Sequence, residues 1–364
     1  MAKPLKTDVL QFGTSRFLQA HADLFFSQAT EPLTVTVVQT SGDASRAKRL
    51  KALAVPEGFP VFVRGIRDQV EIDETHTVSC VKQAFSTASD WDAVCEVAKT
   101  ARFIVSNTSE KGFSPKPEDT DPDRLLSASF PAKLAHILAA RFQAACPPPV
   151  LLPTELIAKN GDTLKGRVID IAKDVLPLPG FQDWLVQMPA ANSIVDRIVS
   201  EALQPAGAVA EPYALWAIQK TEGISAPCEH PAIQVFASLA QPERLKLHIL
   251  NLGHTLLADW WFDAGEPDGK TVLDCMRGPE REALEKVYDT EVIPLFANRG
   301  LETEARLYAQ STLERFANPF LDHKLSDIAA NHNEKIARRV GDLLSWSGAI
   351  VGSAPSLEGL VSRI

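Results

Sequence analysis

Up to about residue 200, apolar positions fall into short β-branched runs that alternate with stretches of helical spacing. DVLQF (8–12), LTVTVVQT (33–40), RFIVSNTS (102–109) and VLLPTELI (150–157) predict strands. GTSRFLQAHADLFF follows the first run directly and predicts a turn entering a helix. GDASRAKRLKALA, DWDAVCEVAKTA (90–101), PAKLAHILAARFQAA (131–145) and KNGDTLKGRVIDIAKDV predict further helices, and Pro147, Pro148 and Pro149 stop the third of these. PVFVRGI and TVSCVKQAF predict two more strands, a local β excursion. From about residue 235 the spacing is almost all helical, through FASLAQPERLKLHILNLGHTLLADWWF to DHKLSDIAANHNEKIARRVGDLLSW. The pattern predicts an α/β domain on a mainly parallel sheet, followed by a mainly α-helical C-terminal domain. The change falls at 200–235, with EPYALWAI (211–218) as the crossing, and the bounds taken are 1–210 and 211–364.

Composition narrows the class. The 364 residues are 45% apolar and 23% charged, ordinary for a globular chain, and long enough for two domains. The net charge of −9 argues against a nucleic-acid partner, which needs a basic face. No stretch approaches the ~20 apolar residues of a membrane span, and MAKPLKTDVLQFG has no apolar signal core. The five cysteines are scattered and odd in number, which fits a reduced, cytoplasmic protein without a disulfide framework.

Five stretches bear on chemistry. DVLQFGTSRF stands where a dinucleotide-binding fold puts its glycine-rich turn, so that backbone N–H groups approach a pyrophosphate. Gly13 and Ser15 hold the first two glycine positions and Leu18 the third, a degenerate fingerprint that an ordinary βα turn also satisfies. After the second strand, where an acid would meet the adenosine ribose of NAD, stand Gln39, Ser41 and then Asp43; this leaves NADP open. Arg46, Lys48 and Arg49 follow as the solvated face of a helix. In SNTSEKGF (106–113), Asn107, Thr108 and Glu110 suit contacts to ribose or nicotinamide, and equally a capped turn before a helix.

In KLHILNLGH (246–254), an α-helix at about 100° per residue makes Asn251 and His254 neighbours and puts Lys246 about 80° from His254. A lysine at a cleft serves as general acid or base. An amide holds an alkoxide, and an imidazole orients a hydroxyl. The same spacing also fits a half-exposed helix with a solvated lysine and a hydrogen-bonded core histidine. No zinc constellation is present; Cys228, Glu229 and His230 lie between Pro227 and Pro231 as a loop. A GxSxG elbow and a phosphate loop are absent too, which disfavours hydrolase and NTP-driven chemistry.

Together these stretches resemble the polyol-specific long-chain dehydrogenase/reductase family, which includes mannitol 2-dehydrogenase, fructuronate reductase and tagaturonate reductase. Lys246, Asn251 and His254 reproduce its KxxxxNxxH motif. GTSRFLQAH resembles GxGxFxRAH, with Ser15 for the second glycine and Gln19 for the arginine. PAANSIVDRIV (189–199) resembles PNxxVDRI, with Asn192 on its asparagine, and ERFANPFLDHKLSDIAANHNEK (314–335) resembles RFxNPxxxD…SxK. SNTSEKGF, ELIAKNGDTLKG and VFVRG (61–65) look closest to the tagaturonate-reductase branch.

The resemblance implies an N-terminal Rossmann-like doubly wound domain and a helical substrate domain. It implies metal-independent transfer of hydride between NAD(P) and a secondary alcohol or ketone of a sugar acid or polyol. Lys246 would be the general acid/base, Asn192 and Asn251 the donors to the developing oxyanion, and His254 the ligand of the substrate oxygen. Phe12, Gly13, Thr14, Ser15, Arg16, Phe17, Gln39, Asn107, Thr108 and Glu110 would line the cofactor, NAD before NADP. The expected partner is a small-molecule sugar acid or polyol, with no nucleic acid and no membrane, and the expected state a monomer or small homo-oligomer. Two other readings are oxidation coupled to rearrangement of a branched or shorter sugar acid, and a catalytically silent nucleotide- or metabolite-binding sensor. The intact Lys–Asn–His set argues against the sensor. Three departures bear on substrate: the chain is shorter than the usual members, Gln219 and Lys220 stand near an acid of mannitol dehydrogenases, and Pro153 and Thr154 replace the CxN or CEL segment.

Overall fold

The computed structural model describes residues 3–41, 43 and 47–364. Arg46 and the side chain of Lys48 lie outside the described residues. The chain forms two compact units. The first comprises Met1–Val63, Glu74–Ala210 and Ala214–Leu239; the second comprises Arg64–Asp73, Glu211–Tyr213 and Ala240–Ile364.

Strands run in chain order as β1 (Val9–Phe12), β2 (Val35–Gln39), β3 (Phe59–Arg67), β4 (Val70–Val78), β5 (Val81–Ser86), β6 (Phe103–Ser106), β7 (Val150–Pro153), β8 (Ser193–Asp196), β9 (Val199–Ala202), β10 (Ala208–Ala210), β11 (Leu215–Gln219) and β12 (Ile233–Phe236). The main sheet of the first unit is parallel throughout, in the order β5-β2-β1-β6-β7. All residues of β1, β2 and β6 are buried, as expected where helices cover both faces of a parallel sheet. The chain steps outward from β1 to β2 and β5, then returns past β1 to β6 and β7. The order therefore reverses between β1 and β6, where an open α/β sheet receives ligands beyond its carboxyl ends. This is a Rossmann-like domain.

Its helices are α1 (Arg16–Ala20), α2 (Ala22–Gln28), α3 (Ala47–Leu53), α4 (Trp91–Ala98), α5 (Glu110–Phe113), α6 (Phe130–Gln143), α7 (Asn160–Val175) and α8 (Phe181–Gln187). Leu10, Phe12, Ile104 and Leu151 of the sheet pack with Ala135, Leu138, Leu164 and Val168 of α6 and α7. Each large buried side chain here contributes roughly 1.5–3 kcal/mol. Ser129 caps α6 and Ala145 leaves it at φ 54°, before the three prolines.

The expected strand TVSCVKQAF is two strands, β4 ending at Val78 and β5 starting at Val81. β4 begins earlier, within the polar segment VEIDETHTV, because it is the edge of a second sheet, β4-β3-β10-β9, where alternating exposed and charged positions guard an open edge. β11 and β12 pair in a third sheet with β8, so the crossing segment carries two strands of the first unit, 215–219 and 233–236.

One core group of this unit is out of place for a carboxylate. Asp23 on α2 is 1% exposed; the Gln11 side chain beside it favours its charged form, but neither Asp23 oxygen nor Gln11 Oε1 has a fully formed hydrogen bond. Burial pushes the Asp23 carboxyl up to about 8. Between the ordinary 3.8 and 8 the folded chain therefore keeps a proton that the unfolded chain has lost, so stability falls as pH rises through that window. Asp23→Asn removes the titration and can donate to Gln11. Its stability gain over wild type is expected to grow by about 3 kcal/mol from pH 5 to pH 7. Urea unfolding at both pH values reads this, and a gain independent of pH contradicts it.

The second unit is helical: α9 (Ala240–Leu245), α10 (Leu252–Asp263), α11 (Val272–Arg277), α12 (Glu280–Val287), α13 (Ile293–Ala297), α14 (Glu302–Phe316), α15 (Leu325–Ala329), α16 (His332–Ile336), α17 (Asp342–Ser347) and α18 (Pro355–Val361). Three π-helical turns join some of them: Lys246–Asn251 between α9 and α10, Tyr288–Val292 between α12 and α13, and Ala337–Gly341 between α16 and α17. Leu252, Leu256 and Leu257 of α10 pack with Leu284, Phe296 and Leu343 around one core. A buried bidentate pair anchors the start of this unit: Arg315 Nη2 and Nε donate to the two Glu211 oxygens at 2.8 and 2.9 Å. Among the described residues no helix is long and apolar enough to cross a membrane.

Candidate active site

The carboxyl ends of β1 and β6 meet at the switch point. Gly13 leaves β1 at φ +127°, and a Cβ there would lie 2.7 Å from the Asn107 carbonyl oxygen, so this position requires glycine. Ser15 caps α1, accepting from Leu18 N at 3.2 Å, and its hydroxyl donates to Asn107 Oδ1 at 3.1 Å. The hydroxyl of the serine at the second glycine position is thus held by contacts within the protein. Asn107 Nδ2 donates in turn to the Thr154 carbonyl and hydroxyl at 3.1 and 3.2 Å. Thr108 donates through N and Oγ1 to Glu155 Oε1 at 3.0 and 3.2 Å, and Ser106 Oγ donates to Glu155 Oε2 at 3.0 Å. Burial raises the Glu155 carboxyl above its ordinary value. Sequence reasoning missed Glu155, although it is the acid of the PTEL segment.

Gly13, Ser15, Asn107 and Thr108 therefore come together. The Phe12 carbonyl accepts from Asn107 N at 2.9 Å, and the other expected cofactor residues make contacts of their own. The side chain of Phe12 is in the core, its ring 5.1 Å from that of Phe130. Arg16 donates to the Ser200 carbonyl, Phe17 stacks on His21, and the Thr14 carbonyl accepts from Gln19 Nε2. Gln39 is buried, its amide spent on Ser41 Oγ and the Asp43 carbonyl. Glu110 is exposed in the first turn of α5, which Ser109 caps.

Asn192 precedes β8 and is nearly buried. Its Nδ2 donates to Asp162 Oδ2 at 2.9 Å and to Gln219 Oε1 at 3.1 Å, and its Oδ1 accepts from Asp162 N at 3.0 Å. Gly161 permits this approach, since a Cβ there would strike the Ala191 carbonyl. Both amide N–H groups of Asn192 are engaged in this arrangement.

In the second unit the motif Lys246–His254 departs from the expected α-helix. Lys246–Asn251 is a π-turn and only Leu252 onward is α-helical. A π-turn closes at i+5, in effect one residue inserted into the α-helix, so the five-residue step from Lys246 to Asn251 ends about 40° past a full turn, in place of about 140°. One residue inserted into an α-helical count brings Lys246 to about 20° from His254, in place of about 80°. The KxxxxNxxH spacing therefore puts lysine, amide and imidazole on one face only because the helix is widened here. His254 is 7% exposed, its ring 4.3 Å from that of Phe316 and 4.8 Å from that of His323.

A π-turn displaces carbonyls from their usual partners, and three side chains take them up. Tyr288 Oη donates to Ile249 O at 2.8 Å, Thr255 Oγ1 to Asn251 O at 3.1 Å, and Arg339 Nη1 to Asn251 O at 3.0 Å. Tyr288 and Arg339 belong to the other two π-turns. Sequence reasoning missed both, and no local signal marks them. Gly253 leaves room for the tyrosine, since a Cβ there would fall on its hydroxyl and lie 3.0 Å from the Phe316 ring. Gly253→Ala is expected to cost about 1–3 kcal/mol and to lower kcat. Tyr288→Phe added to it should recover part of the stability in urea unfolding; a strictly additive double variant contradicts the contact. A cleft of about 640 Å³ lined by Arg281, Glu285, Arg306 and Glu314 contains no candidate residue.

The Mannitol dehydrogenase Rossmann domain model matches residues 7–229, and the Mannitol dehydrogenase C-terminal domain model matches residues 239–354. An altronate oxidoreductase of Bacillus subtilis (strain 168) is 30% identical over 91% of this chain and 73% of its own length. Another, of Halalkalibacterium halodurans, is 28% identical over 96% of this chain and 72% of its own. Among solved structures, D-sorbitol dehydrogenase in substrate-free form superposes with a TM-score of 0.80 at 16% identity, over 99% of this chain and 80% of that one. Pseudomonas fluorescens mannitol 2-dehydrogenase, in a ternary complex with NAD and D-mannitol, does so with 0.72 at 16% identity, over 98% and 79%.

Proposed function

This chain belongs to the mannitol dehydrogenase family of oxidoreductases, and from that premise we propose that it interconverts the secondary alcohol and the ketone of a sugar acid, with NAD(H) as redox partner and Lys246 as general acid/base. The observation that carries this reading is the π-turn at Lys246–Asn251, whose wider turn narrows the arc between Lys246, Asn251 and His254. The altronate oxidoreductases among its relatives favour a sugar acid over a neutral polyol.

When bound, the dinucleotide supplies or accepts the hydride. The Gly13–Ser15 backbone, Asn107 and Thr108 are the residues that would hold it. In the reductive direction Lys246 Nζ gives a proton to the carbonyl oxygen and recovers one from solvent. The Asn251 amide donates to that oxygen as negative charge develops, where a fixed donor acts most strongly. His254 orients the reacting oxygen.

The test is an absorbance screen of hexuronates, hexonates and hexitols with NAD(H) and NADP(H). Turnover of a sugar acid with NAD(H), without change of carbon skeleton, is expected. Turnover of hexitols alone, or a rearranged product, contradicts the proposal.

A further inference from the structure

Four arginines of the second unit pair with carboxylates: Arg281 with Glu285, Arg306 with Glu302, Arg315 with Glu211 and Arg363 with Asp259. Arg339 and Lys335 differ. They are four residues apart across the end of α16 and the following π-turn, and close enough that the Arg339 charge acts on Lys335. Both are half-buried. Lys335 Nζ donates to the Ile328 carbonyl at 2.7 Å. Arg339 Nη1 donates to Asn251 O and, at 2.9 Å, to Thr255 Oγ1. Among the described residues neither cation meets a carboxylate; Asp259, on the adjoining stretch of α10, is taken by Arg363 and His332. Burial lowers the pKa of both groups, Arg339 to about 10, and each has a further cation beside it, Arg339 for Lys335 and Arg338 for Arg339. Two partly desolvated like charges without a counter-ion are costly unless an anion joins them.

We propose that Arg339 and Lys335 form the site for the substrate's carboxylate, and so select sugar acids over neutral polyols. This rests on the reaction proposed above. Arg339 suits the task because one nitrogen is fixed to the backbone of the motif asparagine. Its remaining N–H groups are left to a planar, two-oxygen acceptor. The carboxylate is thereby held in register with Asn251, the residue that meets the reacting oxygen.

The experiment is calorimetric titration of the NADH-loaded enzyme, which cannot oxidise an alcohol, with altronate and mannonate, each compared with its hexitol, for wild type, Arg339→Gln, Arg339→Lys and Lys335→Met. Wild type should prefer the acids. Arg339→Gln and Lys335→Met should each weaken acid binding by at least ~10-fold and shrink the acid-to-hexitol ratio, and Arg339→Lys should restore part of it. Lys335→Met does not touch the π-turn, so it separates anion binding from a structural fault. Acids and hexitols weakened in equal proportion, or acids unaffected, would overturn the proposal. Turnover is read separately: acid binding that depends on these cations, without redox turnover, would refute the proposed reaction and leave this site standing.

Discussion

Lys246→Ala is expected to lower kcat by about 10²–10⁴-fold, the range a positioned acid/base contributes, while dinucleotide affinity stays within about threefold of wild type. Lysine is suited to this work because its ammonium, unlike a guanidinium, can give up and regain a proton. Lys246→Arg should fail almost as completely, since a guanidinium keeps its proton. It also carries a planar head where the π-turn presents a point donor. Steady-state turnover and a nicotinamide fluorescence titration read the two quantities. A Lys246→Ala enzyme retaining more than about a tenth of wild-type kcat would remove the residue from the chemistry.

Arg315→Ala is expected to cost about 3–5 kcal/mol of stability, because it leaves the Glu211 carboxylate buried without its charge partner. The two side chains are 3% and 0% exposed, and the guanidinium also lies 4.3 Å from the Tyr213 ring centroid. Removing both charges with apolar residues of similar volume, as in Arg315→Met with Glu211→Leu, should recover most of that loss. Denaturant unfolding decides. A single variant costing under about 1 kcal/mol would show that water or another cation reaches Glu211.

The parallel strands were legible because burial on both faces leaves continuous β-branched runs such as VVQ and FIV. β4 was not, since an exposed edge strand carries polar residues at the positions that signal a strand elsewhere. The Gly13 turn was legible as a turn. Its knot with Asn107, Thr154 and Glu155 joins the ends of three strands, so it exists only after the sheet has formed. For KLHILNLGH the residues were legible and their geometry was not. Periodicity assumes 3.6 residues per turn, and the π-turn is held by Tyr288 and Arg339, which lie 39 and 88 residues away from their acceptors. Side chains that act at such separations leave no mark on local spacing.

The central claim is that this chain moves hydride to and from a sugar-acid carbon with Lys246 moving the proton. The most direct measurement is mass spectrometry of the product formed from a hexuronate and NADH deuterated at its transferable position. The account predicts that wild type places one deuterium on the new carbinol carbon of an unrearranged hexonate, and that Lys246→Ala, although it binds NADH, places almost none there. Deuterium absent from the wild-type product, lodged in a rearranged skeleton, or transferred equally well by the variant would contradict it.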